Sequence, residues 1–101
     1  SAPPAGGGAI FHGFGREPGW VLDVFADGIV FAPFGAATVS VDTPPVTTTF
    51  EGHRYTSEGL TITIAHASCG FTSGGPRYPA SVTVSAGGRE YRGCGTELAA
   101  H

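Results

Sequence analysis

The sequence predicts an all-β domain, a small antiparallel β-barrel of about eight short strands with one disulfide. Three observations indicate this fold class. Apolar and polar residues alternate with a period of two from residue 10 onward, and no segment keeps a helical period. Turns rich in glycine and proline separate the alternating segments at intervals of roughly 8–12 residues, which is typical of barrels and sandwiches. The chain of 101 residues also contains two cysteines, Cys69 and Cys94.

The composition divides the chain into a linker and one domain. Residues 1–9 read SAPPAGGGA, a linker composition that is flexible at its glycines, and residues 10–101 form the single predicted barrel domain. A chain of this length buries roughly 60–70% of the surface that its unfolded form exposes, which is enough for one core. The linker composition suits the spacer behind a signal peptide, or behind a lipidated cysteine that would anchor the protein upstream of residue 1.

Four strands are predicted in the first half of the chain. They cover residues 10–15, 20–26, 29–34 and 37–41. In the second of them Trp20, Leu22 and Val24 share one face, which predicts that they enter the core. The dipeptide Asp27-Gly28 predicts a tight type I′ turn before the third strand, and that turn requires positive φ at both residues.

Four more strands are predicted in the second half. They cover residues 46–55, 60–66, 80–85 and 89–94. The first of them is long and rich in threonine, with Gly52 as a bulge. Gly87-Gly88 predicts the turn of the last hairpin. We expect a loop over residues 68–79 and a frayed tail over residues 96–101.

The stretch GFGREPGW, residues 13–20, has a spacing of glycines similar to that of a nucleotide-binding loop. Pro18 stands where the third glycine of that fingerprint belongs, and a strand follows instead of a helix. The stretch therefore predicts a turn followed by a core anchor, Trp20. Glu17, directly before that turn, needs a charged or N–H partner if it is partly buried.

Three motifs together resemble a family of uncharacterised bacterial envelope lipoprotein domains. They are F-x-G-x-G-x-E-P-G-W-x-L-D-V at residues 11–24, a cysteine followed by Y-P-x-x-V-x-V at residues 78–84, and Y-R-G-C-G at residues 91–95. That family is small, β-rich and secreted or lipid-anchored, and its architecture is similar to that of periplasmic lysozyme inhibitors and copper-stress lipoproteins. The resemblance implies a periplasmic, outer-membrane-anchored or secreted protein. The segment CGFTSGGPRYP departs from the family in having neither Asp nor Met.

The two cysteines favour an oxidising compartment. In a small domain of low charge, one pair suits a disulfide better than a two-thiol metal site, which would need further ligands nearby. Two buried free thiols and a metal or redox pair are the alternatives, because the spacing of Cys69 and Cys94 does not itself determine the pairing.

Charge and hydropathy exclude two classes of partner. The net charge is −3, the five arginines are scattered along the sequence, and there is no lysine. No basic stripe for nucleic acid and no apolar run of the roughly 20 residues that a membrane helix needs can be found. No cofactor is predicted.

The function that this composition and the resemblance favour is that of a non-catalytic binding module, monomeric, with a protein or an envelope component as partner. Aromatic and arginine side chains on loops are typical interface anchors. The predicted binding residues are Glu17, Trp20, Phe71, Arg77, Tyr78 and Arg92. The competing interpretation is that Phe71 and Tyr78 fold back over a barrel end and cover the disulfide.

The alternative function is a copper- or zinc-binding domain of a metal-stress lipoprotein. His12 and His66, with a carboxylate, are its predicted ligands, although no two histidines have the short spacing of a zinc motif. The competing interpretation makes both histidines neutral and hydrogen-bonded, with His66 at a barrel rim, and His53 is predicted to be solvated. A small enzyme is the third hypothesis, and no G-x-S-x-G elbow supports it.

Overall fold

Nine antiparallel strands form one curled sheet in the computed structural model, which describes residues 9–16, 19–72 and 74–98. The strands are β1 (Phe11–Arg16), β2 (Gly19–Val24), β3 (Ile29–Pro33), β4 (Val39–Val41), β5 (Val46–Thr48), β6 (Gly52–Ser57), β7 (Leu60–Ala65), β8 (Ala80–Ala86) and β9 (Arg89–Glu97). The described residues contain no helix, so the predicted all-β class is confirmed.

The strand order explains why the sheet curls. The order is β4-β3-β2-β1-β9-β8-β7-β6-β5, with the first and last strands of the chain paired at its centre. Because every pairing is antiparallel, the edge strands β4 and β5 run in the same direction. Only residues 42–45 connect them, and that connection spans at most roughly 18 Å. The sheet is therefore a half-barrel with a seam between β4 and β5.

The inner face of the sheet holds the core. Alternate residues of β2, β3, β7 and β8 are buried, as the period-two pattern of the sequence predicts. The buried side chains are Phe11, Trp20, Leu22, Val24, Ile29, Phe31, Leu60, Ile62, Ile64, Ala80, Val82, Val84 and Tyr91. No charged or polar side chain is buried among the described residues. Burial of these apolar groups is the main force that closes the sheet on itself.

The outer face carries a second, smaller apolar cluster. Cys69 and Cys94 form the predicted disulfide, with their Cα atoms 5.6 Å apart. It ties the loop after β7 to β9, where Cys94 is fully buried. The rings of Phe71 and Tyr78 lie 5.4 and 5.1 Å from the ring of Phe14. The two loop aromatics therefore pack beside the disulfide on the outer face of the sheet, and not over a barrel end.

One predicted strand is divided in the structure. Residues 46–55 form not a single strand but the hairpin of β5 and β6, which raises the strand count from eight to nine. Thr49 causes the reversal, because its N–H donates to the Gly52 carbonyl and its hydroxyl accepts from the Gly52 N–H. Gly52 is no bulge. It pairs with Ala65, and a Cβ there would overlap the carbonyl of Ile64.

Of two predicted turns, one forms as expected and the other does not, and the predicted tail begins within a strand. Gly87 and Gly88 both have positive φ, as the predicted two-residue turn requires. The type I′ prediction at Asp27-Gly28 is wrong, since neither residue has positive φ and a four-residue loop closes with the Phe25 N–H bonded to the Gly28 carbonyl. The tail is not frayed at its start, because β9 continues to Glu97.

The described part of the chain offers no helix long and apolar enough to cross a membrane. The predicted linker lies almost entirely outside the described residues, and so does the end of the tail, residues 99–101.

Candidate functional site

Of the predicted binding residues, one cannot be placed and one lies in the core. Glu17 lies outside the described residues. Trp20 is only 1% exposed, and its indole Nε1 donates to the Arg92 carbonyl at 3.3 Å. A partner cannot contact this side chain without opening the core, so Trp20 is a core anchor and its place in the binding set is corrected.

Phe71 and Arg92 line one open cleft on the outer face, together with Arg16 and Thr72. Its volume is about 400 Å³. The guanidinium carbon of Arg16 lies 4.8 Å from the centroid of the Phe71 ring, a cation–π contact. The two arginines, 76 positions apart in sequence, meet here because β1 pairs with β9.

The charge of this outer cleft is positive, and one of its arginines has an exposed partner. The Arg92 guanidinium lies 2.8 Å from the Glu90 carboxylate. An ion pair as exposed as this one contributes at most about 1 kcal/mol, so Arg92 can exchange Glu90 for another carboxylate or phosphate at little cost. Arg16 and Arg92 are far apart in the sequence but line the same cleft.

Arg77 and Tyr78 support the outer cleft without lining it. Arg77 is exposed, and its Nε donates to the Ser68 hydroxyl at 3.1 Å across the loop. Tyr78 is half-buried, and its backbone pairs with Cys69 in an isolated bridge. Both residues hold the loop in the position that presents Phe71.

A second open cavity lies at the end of the half-barrel where β1 begins and β9 ends; we call it the mouth. Its volume is about 410 Å³. It is lined by Ile10, Phe11, Val46, His53, Tyr55, Ile64, Glu97 and Leu98. Apolar walls with a few convergent polar groups are typical of binding sites in barrel mouths.

Three side chains with metal-ligating atoms meet at the mouth. One ligand atom from each of His53, His66 and Glu97 lies within 4.8 Å of the others. His66 Nε2 and His53 Nδ1 are hydrogen-bonded at 3.1 Å. His53 is partly buried, whereas His66 and Glu97 are exposed. Tyr55 stands beside them, and burial together with the negative charge of Glu97 raises the pKa of its phenol.

The strand register explains why these three residues share a face. His53 is the cross-strand partner of the buried Ile64, and His66 follows Ile64 by two positions. Glu97 is the partner of the buried Phe11. Cross-strand partners and residues two apart point to the same side of a sheet, so all three point toward the inner face at its rim.

His12 lies elsewhere. It neighbours Phe11 in β1 and so points to the outer face, where its Nδ1 is hydrogen-bonded to Asp23 at 2.7 Å. It does not belong to the group that contains His66. The sequence pairing of His12 with His66 is therefore corrected: the histidine that meets His66 is His53, which was predicted to be solvated.

No family model matches this chain, and neither the curated proteins nor the solved structures contain a significant match.

Proposed function

We propose that this protein is a non-catalytic binding domain that works outside the bacterial cytoplasm and binds an acidic segment of a protein partner in the outer cleft. The observation that carries the proposal is the cleft itself, which two arginines and Phe71 line together and in which the Arg16 guanidinium lies over the Phe71 ring. Arginine and aromatic side chains are enriched among the residues that dominate binding energies. The disulfide supports an oxidising compartment.

The loop that forms the cleft is held in place before any partner arrives. The disulfide fixes one of its ends, the Cys69–Tyr78 bridge closes it, and Phe71 packs on Phe14. A loop ordered in advance loses less conformational entropy on binding, and this raises affinity. The motifs at residues 11–24, 78–84 and 91–95 resemble a family whose architecture is similar to that of the periplasmic lysozyme inhibitors, which bind proteins without catalysis. A hydrolase of the cell wall is therefore the first partner to test.

The test compares two charge-reversed proteins. We expect the double variant Arg16→Glu and Arg92→Glu to lose the partner that the oxidised wild type retains from a fractionated envelope extract. The control, Arg54→Glu with Arg89→Glu, changes the net charge equally at two exposed arginines that do not line the cleft. Affinities for the purified partner, measured by surface plasmon resonance, should fall about tenfold or more for the cleft variant only.

Two results would contradict the proposal. One is equal binding by both variants, which would place the contact outside the cleft. The other is retention of an envelope polymer and no protein, which would assign the cleft to a polyanion. Raising the salt concentration should weaken wild-type binding, because the expected contacts are exposed charges.

A further inference from the structure

The mouth and the outer cleft lie on opposite faces of the sheet, so the mouth is a separate candidate site. The three metal-ligating residues that meet there come from different strands or strand ends: His53 from β6, His66 from the end of β7 and Glu97 from β9. They are 13 and 31 positions apart in sequence, and the fold alone brings them together.

The spacing of the ligand atoms suits one metal ion. Two nitrogen ligands, each about 2.0–2.1 Å from a tetrahedral zinc ion, lie about 3.4 Å from one another. His66 Nε2 and His53 Nδ1 are already 3.1 Å apart. A small rotation of the exposed Glu97 side chain closes the remaining distance, which is at most 4.8 Å.

The backbone holds His66 where the site needs it. The His66 N–H donates to the Glu51 carbonyl at 2.9 Å, which extends the pairing of β6 and β7 beyond the end of β7. Gly52 leaves room for the imidazole ring, because a Cβ at that position would lie 3.1 Å from its Cδ2 atom. The sheet thus positions the backbone of His66 and leaves space beside it for the ring.

The two histidines can be a simple hydrogen-bonded pair, and this is the alternative that a test must exclude. In a neutral pair one ring nitrogen donates and the other accepts. Metal binding through both of these nitrogens requires the donating ring to carry its proton on its other nitrogen. No proton has to be lost from a neutral pair, and the charge of the two rings is unchanged.

We propose that His53, His66 and Glu97 bind one divalent transition-metal ion, zinc(II) or copper(II), at the mouth. Two imidazoles and a carboxylate suit these ions, whereas calcium and magnesium prefer oxygen ligands throughout. Three protein ligands leave one coordination position of a four-coordinate ion to solvent. The chain therefore binds an ion that can still accept a ligand from outside.

The experiment is titration of the untagged, oxidised protein with zinc(II) and with copper(II), followed by isothermal calorimetry and by native mass spectrometry. We expect one ion per chain, with no binding of magnesium at the same concentration. Loss of an outer-shell partner alone costs roughly 10–100-fold in metal affinity, so removal of a direct ligand in His66→Ala should weaken binding by about 100-fold or more. Glu97→Gln should weaken it as well.

Two control variants use the other histidines of the chain. His12→Ala removes the histidine that pairs with Asp23, and His101→Ala removes the one at the end of the sequence. Both should bind the metal like the wild type. Because the His66 and Glu97 side chains are exposed, we expect both ligand variants to fold, and urea denaturation checks all four variants.

Three outcomes would overturn the proposal. They are no uptake of zinc or copper, uptake that His66→Ala leaves unchanged, and uptake lost equally in His12→Ala or His101→Ala. None of them depends on the outer cleft, so the metal site and the protein-binding function can fail independently.

Discussion

At the scale of single residues, the stretch GFGREPGW places Trp20 in the core, and two glycines leave room for its ring. Trp20 pairs with Gly15 across β1 and β2, and its ring also reaches β9 at Gly93. A Cβ at position 15 would overlap the indole nitrogen, and one at position 93 would lie 2.8 Å from the far edge of the ring. Both glycines serve to seat the largest side chain of the core against the sheet.

We expect Gly15→Ala to lower the free energy of unfolding by about 1–3 kcal/mol, because the added methyl group overpacks the core at the indole. Urea denaturation of the oxidised protein measures this. Gly28→Ala is the matched control, since its Cβ would meet only the Val41 carbonyl, at 3.7 Å, and Gly28 has no positive φ. Equal midpoints for the two variants would show that the indole adapts to the methyl group.

The aromatic residues of the outer face allow a second test at this scale. Phe71→Ala removes ring contacts with Phe14 and Tyr78 and should destabilise the fold by about 1 kcal/mol or more. Phe50→Ala should have no effect, because Phe50 is fully exposed at the tip of the β5–β6 turn. Thermal unfolding followed by circular dichroism compares them. A loss in the Phe50 variant would reveal contacts that its exposure does not suggest.

At the scale of elements, the loop after β7, which we call the strap, packs on the outer face of β1 and β9. The disulfide joins Cys69 in this loop to Cys94, 25 positions later, and this link constrains the unfolded chain more than the folded one. The outer cleft exists only while this strap is in place, because Phe71 and Thr72 belong to it.

Replacing both cysteines, as Cys69→Ala with Cys94→Ala, should therefore lower the free energy of unfolding by about 3–4 kcal/mol in the chain-entropy description. Guanidinium denaturation of the variant and of the oxidised wild type measures the difference. Unchanged stability would mean that residues 69–94 are already constrained in the unfolded chain. Metal binding at the mouth should survive the double replacement under conditions where the sheet stays folded.

At the scale of the whole molecule, the central strands of the sheet are more buried and more fully hydrogen-bonded than its edge strands. The strands around the β1–β9 pairing contribute most of the core, whereas all three residues of β5 are exposed and none of β4 is buried. Edge strands also have one side without ladder hydrogen bonds. Local opening should therefore start at the seam.

Amide hydrogen exchange followed by NMR tests this order. We expect the slowest exchange in β1, β9 and β8 at the centre of the sheet, close to the rate set by global unfolding, and the fastest strand amides in β4 and β5. Uniform protection across all nine strands would mean that the seam closes in solution more tightly than its hydrogen bonds indicate.

The fold was largely predictable from the sequence, because alternation of side chains and glycine turns are local signals. The β2 and β7 patterns give the inner face directly, and the two cysteines point to their bridge. The β5–β6 reversal was not predictable in the same way. Thr49 is one threonine in a run of three, and only its backbone and side-chain hydrogen bonds to Gly52 distinguish it.

The candidate sites were less predictable, because both depend on which strands become neighbours. Arg16 and Arg92 meet only through the β1–β9 pairing, and His53 meets His66 only in the register that opposes it to Ile64. The alternation in β7 alone could have placed His66 on the inner face, because His66 continues that face. It could not have identified His53 as the neighbour of His66. The partner strand and its register are long-range properties that no local pattern contains.

The seam has a consequence for the order of the chain itself. Position 98 lies beside position 10, where the Leu98 N–H donates to the Ile10 carbonyl at 2.9 Å, and residues 42–45 are the only connection between the two edges. A circular permutant that joins position 98 to position 10 and opens at Pro44-Pro45 would read β5 to β9 and then β1 to β4. This is the order of the sheet from edge to edge, so every strand would pair with its neighbour in sequence. In the natural chain the central pairing joins the first strand, β1, to the last, β9, so the longest loop must close to form it. In the permutant the same two strands would form a hairpin. Because its contact order is lower, we expect the permutant to fold faster.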